Sequence, residues 1–181
     1  SATNYKFPTD WSGATGLIAF FTTLPSADIW TLSVAERKAR PFLSTPFQEG
    51  SPQFSPDGRW MAYGSTESGT VEVFVQAFPA SGGKWQISTA GGSYPRWRRD
   101  GKELYYIAPD NALMAVEVAT GSGFAAGTPK ALFRTRIKSL DLGFQYDVSP
   151  DGNRFLINTL EEDRQASSIT VVQNWMGEPQ K

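Results

Sequence analysis

Apolar and polar residues in this chain alternate in short bursts of four to eight rather than at helical spacing, the pattern of half-buried β-strands. The clearest burst is Val71-Glu72-Val73-Phe74-Val75-Gln76-Ala77, which alternates with period two as a strand. Turn residues bound it on both sides, Glu67-Ser68-Gly69 before and Pro79 to Gly83 after. Pro52-Gln53-Phe54 and Trp60 to Gly64 precede it as strands, and Lys84 to Ser88 follows as another. Between the first two lies Ser55-Pro56-Asp57-Gly58. There Pro pre-sets φ near −65°, Asp hydrogen-bonds the local backbone and Gly accepts a left-handed conformation, so a hairpin turn is predicted. Four antiparallel strands in about 40 residues make one blade of a β-propeller.

The unit repeats. Phe54-Ser55-Pro56-Asp57-Gly58-Arg59-Trp60-Met61-Ala62-Tyr63 returns as Trp97-Arg98-Arg99-Asp100-Gly101-Lys102-Glu103-Leu104-Tyr105-Tyr106 and as Val148-Ser149-Pro150-Asp151-Gly152-Asn153-Arg154-Phe155-Leu156-Ile157. A worn copy, Trp11 to Phe20, precedes them, with Ala14-Thr15 where the others have Asp-Gly, so its hairpin is expected to be less sharply specified. Copies roughly 40–50 residues apart are the mark of propellers and other arrays. The remaining strands follow: Leu17 to Phe21, Asp28 to Ser33 and Pro41 to Ser44 in the first unit; Glu103 to Ile107, Leu113 to Val118 and Lys130 to Phe133 in the third; Arg154 to Asn158 and Ser168 to Gln173 in the last. The expected fold is an all-β propeller domain over residues 1–181, with blades near 5–46, 50–91, 93–137 and 144–176. Thr120 to Thr128 reads as a Gly-rich, flexible connection within the third blade. After Asn174-Trp175 too little chain remains for a fourth strand, so the last blade is expected to lack its outer strand, with Ser1 to Lys6 a thin candidate to fill the gap. A closed four-bladed ring and an arc of a larger, six- to eight-bladed propeller both satisfy this pattern. An arc would expose apolar edges and self-associate.

Composition sharpens this mainly by exclusion. Gly 17 and Pro 12 in 181 residues, with 13% aromatics, suit short strands and tight turns. A net charge of −1 lacks the electrostatic footprint of a general nucleic-acid binder. The absence of His and Cys removes Ser-His-Asp, Cys-His and His- or Cys-ligated zinc chemistry. No apolar run approaches the roughly 20 residues of a membrane-spanning helix. The start at Ser1 carries neither an initiator Met nor a signal peptide, and the chain reads as part of something longer.

The chemical candidates are few. Asp57, Asp100 and Asp151, with Gly58, Gly101 and Gly152, sit at one position of separate blades, so they are read as turn formers rather than a carboxylate pair about one bond. Glu161-Glu162-Asp163 has no calcium-loop spacing around it and reads as a solvated loop. Arg96-Trp97-Arg98-Arg99 with Lys102 is the one basic cluster that encloses an aromatic, but Trp97 falls on the repeat's buried aromatic position. No catalytic residue, metal site or cofactor is predicted. One positional set points to a surface: the residue before each box is Asp10, Gln53, Arg96 and Asp147, with Pro8, Ser51, Tyr94 and Gln145 two positions earlier. Innermost strands surround a propeller's channel, so Asp10, Gln53, Tyr94, Arg96, Gln145 and Asp147 are the candidate binding residues at its mouth.

The box at Phe54 to Tyr63, with Ser51-Pro52-Gln53 before it and Val71 to Val75 after it, resembles the WD40-like repeat of TolB-type β-propellers. Gly83 to Ser93, Pro95 to Tyr106 and Ile169 to Trp175 resemble more specifically the C-terminal propeller of bacterial membrane-anchored serine/threonine protein kinases, a likeness that runs from Pro8 to Trp175. The resemblance implies an upstream kinase domain, a membrane span, further blades and an extracytoplasmic location. The kinase's Gly-rich loop, lysine strand and His-Arg-Asp loop have no counterpart in this sequence. The expected function is a non-catalytic binding or sensory scaffold for a protein or small ligand. The alternative is the propeller of a prolyl-oligopeptidase-like hydrolase or of a sugar-active enzyme whose catalytic part lies elsewhere.

Overall fold

The computed structural model describes residues 4–121, 123–137, 143–159 and 169–173. Every regular element among them is a strand. The first sheet comprises β1 (Lys6–Ser12), β2 (Leu17–Thr22), β3 (Ile29–Ser33) and β4 (Lys38–Leu43), paired antiparallel in that order. The second repeats the plan with β5 (Glu49–Phe54), β6 (Trp60–Ser65), β7 (Glu72–Ala77) and β8 (Lys84–Gln86). In the third, β9 (Ser93–Trp97), β10 (Glu103–Ile107) and β11 (Ala112–Ala119) are followed by the two-residue β12 (Ala125–Ala126) and by β13 (Lys130–Arg134), both paired with β11. The last has β14 (Tyr146–Val148), β15 (Arg154–Asn158) and β16 (Ile169–Gln173). The all-β expectation and the blade of four antiparallel strands are therefore borne out, with about four blades present. Glu161 to Asp163, Asn174-Trp175 and Ser1 to Thr3 lie outside the described residues.

The blades pack through their sheet faces, and the period-two pattern supplies both faces at once. In β6, Met61 and Tyr63 join Ala19, Ile29 and Phe74 against the first blade. Their neighbours Trp60 and Ala62 turn to the opposite side and meet Trp97, Leu104, Tyr106 and Val116 of the third. β10 does the same, with Tyr105 and Ile107 packed on Tyr146, Phe155 and Ile157 of the last blade. A strand buried on both faces, as β6 is throughout, reads as a continuous apolar run rather than as alternation. Each fully buried large side chain contributes on the order of 2 kcal/mol of transfer free energy.

The box turns share one geometry. Gly58 accepts φ +72°, its amide donates to the Ser55 carbonyl at 2.8 Å, and Asp57 Oδ1 receives the Ser55 hydroxyl at 2.6 Å and the Arg59 amide at 3.1 Å. Asp151 repeats this with Ser149 at 2.5 Å and the Asn153 amide at 3.1 Å. In the third blade Arg98 replaces the serine, and its guanidinium takes Asp100 at 2.7 and 2.9 Å and Glu103 at 2.7 Å. The first hairpin, lacking Asp-Gly, closes through Gly16, at φ +69°, whose amide reaches the Ser12 carbonyl at 2.9 Å.

Three local expectations change. β4 starts at Lys38, earlier than Pro41, because Arg37 adopts a left-handed φ of +53° and closes a tight turn without glycine. β5 starts at Glu49, before a bulge between Gly50 and Gln53 that periodicity does not show. The Gly-rich stretch of the third blade is pinned at two points rather than flexible throughout. Phe124 is buried, with ring centroids 5.3 Å from Trp60 and 5.2 Å from Trp85, and Arg59 donates to the Thr120 carbonyl at 2.5 Å.

Candidate functional site

β1, β5, β9 and β14 are the innermost strands, each beside the next. Three carry a bulge just ahead of the positions singled out in the sequence. At two of these bulges a non-glycine residue, Ser51 or Tyr94, sits in left-handed backbone at φ +53° and +55°, in each case directly before a proline. The bulge re-aims the following side chains towards the adjoining inner strand.

The result is a series of blade-to-blade hydrogen bonds. Asp10 Oδ2 receives the Phe54 amide at 2.8 Å, Gln53 Nε2 donates to the Thr9 carbonyl at 2.7 Å, and the Thr9 hydroxyl donates to the Pro52 carbonyl at 2.7 Å. Across the next boundary Trp97 Nε1 donates to the Gln53 carbonyl at 3.2 Å. Across the third, the Tyr146 hydroxyl donates to the Tyr94 carbonyl at 2.9 Å and Arg96 Nε to the Tyr146 carbonyl at 3.4 Å. The structure thus brings Asp10, Arg96 and Asp147 into one electrostatic cluster. Burial pushes the Asp10 carboxyl above its ordinary range despite the amides of Phe54 and Trp11. Burial likewise lowers Arg96, against the pull of Asp147, Tyr146 and Asp10. Its guanidinium lies 3.4 Å from the Phe144 ring centroid and 3.6 Å from Asp147 Oδ1. Asp147 keeps 69% of its side chain exposed. Gln145 turns into its own blade instead, with Nε2 on the Gly143 carbonyl at 3.1 Å and Oε1 receiving Asn158 at 3.3 Å. The basic run is split, since Arg96 faces this cluster, Trp97 is buried and Arg98 holds Asp100.

A cavity of about 360 Å³ opens at the start of β5 and β9, the end opposite the box turns. Phe21 and Ala27 come from the first blade, Glu49, Gly50, Ser51, Gly64, Thr66 and Val71 from the second, and Ser93 and Tyr94 lead into the third. Of the residues predicted from sequence only Tyr94 lies here. Glu49, the charged group in the wall, was missed, because the repeat carries no signal there: the matching positions hold Lys6, Gly92 and Gly143. Among the described residues no group of three or more Asp and Glu is placed to hold a metal ion, and no helix is long and apolar enough to cross a membrane.

Neither a family model nor a curated protein matches this sequence. Solved structures do. TolB from Acinetobacter baumannii superposes with a TM-score of 0.68 at 15% identity, covering 96% of this chain and 45% of that one. The β-propeller domain of Myceliophteria thermophila Cps50 (Swd1) gives 0.60 at 12% identity over 98% of this chain and 58% of its own. A prolyl endopeptidase gives 0.54 at 15% identity over 94% and 30%. The chain spans less than two thirds of each of these proteins, and at such identities the likeness is one of fold. The blades are those of a β-propeller, similar in fold to TolB-like and WD40 propellers.

Proposed function

We propose that this chain is a non-catalytic recognition module, the propeller portion of a receptor-like serine/threonine kinase on the extracytoplasmic side of a bacterial membrane. It binds a protein segment or small ligand at the open end of its inner strands. The observation that carries this reading is the cavity framed by residues of three adjoining blades, set on inner strands whose polar groups are hydrogen-bonded across the blade boundaries. An open hollow on a frame of strands hydrogen-bonded to one another suits recognition of a ligand. The kinase attachment is supported by the sequence likeness from Pro8 to Trp175, and kinase activity itself belongs to the upstream domain. Nucleic acid, cofactor and direct membrane insertion have no part in this reading.

The purified chain is expected to bind members of a mixed library of peptides, sugars and amines, with amide shifts gathered around the cavity, and to turn over no peptide, ester or oligogalacturonate substrate. Turnover would overturn the reading in favour of the competing one, a hydrolase or sugar-active enzyme, which the likeness to prolyl endopeptidase favours. The upstream coding sequence is expected to encode a kinase. A Gly-x-Ser-x-Gly hydrolase encoded downstream would defeat that attachment.

A further inference from the structure

The second blade shows how a carboxylate is satisfied at this end of a sheet. Glu72 is buried and receives the Ser88 hydroxyl on one oxygen and the Gly91 amide, at 2.8 Å, on the other. In the first blade the match of Glu72 is Asp28, one methylene shorter, whose Oδ1 receives the Ser26 hydroxyl at 2.9 Å. Thr45, one residue past the match of Ser88, gives its hydroxyl to Glu49 Oε1 instead. Glu49 is 1% exposed, and its Oε2 has no hydrogen-bond partner among the described residues. A buried acceptor left in this state keeps the full cost of its lost hydration. Desolvation, with the nearby Asp28 and Glu67 carboxylates, holds the Glu49 carboxyl above its ordinary range despite the Thr45 hydrogen bond.

The space beside it is built by omission of side chains. Gly50 and Gly64 pair across β5 and β6, and neither has the left-handed backbone that requires glycine. A Cβ on Gly50 would meet Phe21 at 3.8 Å, and one on Gly64 would meet Val71 at 3.5 Å, both ordinary contacts. What the two glycines secure is therefore volume rather than a turn. The charge around that volume is negative. Lys84 pairs with Glu67 at 2.5 Å, which leaves Glu49 and Asp28 without an ion-pair partner among the described residues.

We infer that this cavity binds a small organic cation, a primary ammonium on a short apolar or aromatic stem, with Glu49 as the carboxylate partner and Phe21, Ala27 and Val71 around the stem. The inference rests on the recognition reading above and names the ligand class. An ammonium supplies the donor that Glu49 Oε2 lacks, in a low-dielectric wall where a charge-assisted hydrogen bond is strong. An anion of the same shape would meet the carboxylates of Glu49 and Asp28.

Phenethylammonium titrated into the labelled 181-residue chain tests this. The amides of Gly50, Gly64 and Ser93 are expected to shift saturably. Glu49→Gln, which retains an acceptor for Thr45, should weaken binding by about tenfold or more. Gly50→Val should occlude the cavity and abolish the shifts while leaving the melting temperature within a few degrees of wild type. Unchanged affinity in a folded Glu49→Gln variant, or silence of all three amides in the wild type, overturns the inference. If hydrocinnamate, the carboxylate of matching stem, shifts the same amides equally well, the cation assignment falls while the recognition reading stands. That reading falls separately, on turnover by the chain or on absence of binding across the mixed library.

Discussion

At the scale of single residues the carboxylates of this chain divide into two kinds with opposite pH behaviour. Hydrogen bonds from Arg98 hold Asp100 below its ordinary range, and those from Ser55 and Arg59 do the same for Asp57, outweighing the effect of burial. Such groups stabilise the fold at neutral pH, and the contribution is lost as pH falls through their folded values. Glu49 runs the other way. With its carboxyl raised by burial, the folded state holds the proton longer than the unfolded chain does, so stability falls as pH rises from the ordinary glutamate value past the raised one. Glu49→Gln has no such loss. Its melting temperature relative to wild type should therefore increase from pH 4 to pH 7, and a constant difference in thermal melts across that range would refute the assignment. The two kinds were unequally legible. Asp57 and Asp151 announce themselves because turn chemistry is local, a matter of Ser, Asp and Gly within four residues. Glu49 depends on Thr45 and on the shorter Asp28 reaching elsewhere, and neither fact is visible in its own neighbourhood.

At the scale of elements the box hairpins were readable in full, while their mutual contacts were not. Gly58 occupies left-handed backbone, and a Cβ there would come 2.6 Å from Thr15 of the preceding blade's turn. Gly101 shares the backbone requirement, but its nearest contact would be Pro56 at 3.8 Å. Gly101→Ala should therefore lose about 1–2 kcal/mol, the cost of the conformation alone. Gly58→Ala should lose roughly 1 kcal/mol or more beyond that, because the first hairpin must move aside. Urea denaturation of the two variants measures the difference, and equal losses would mean that the turns do not lean on one another. Strand positions within a blade followed from period and punctuation, as at β10 and β15, where the expected and observed spans coincide. The early start of β4 and the anchoring of Phe124 arise from a non-glycine turn and from an aromatic gap between blades, which no local pattern encodes.

At the scale of the whole molecule the repeat predicted the architecture, because each blade buries its apolar faces only by stacking on its neighbours. The first blade tests the limit of that argument. Trp11 is 69% exposed, whereas Phe54, its match in the second blade, is 4% exposed and packs edge-on to Phe78 at 5.0 Å. An indole presented in this way is expected to draw the isolated chain into self-association. Light scattering should show a mass that rises with concentration and that Trp11→Gln suppresses. A monomer at every concentration would show instead that this edge needs no cover.

The inner strands carry a further consequence for how such a molecule transmits force. Gln53 donates its side chain to Thr9 in the first blade and lends its carbonyl to Trp97 in the third. A displacement that begins in the first blade thus passes to the third through one residue of the second, without crossing its sheet. In mechanical terms the inner strands are links of one chain, from the first blade to the last, and the outer strands hang from it.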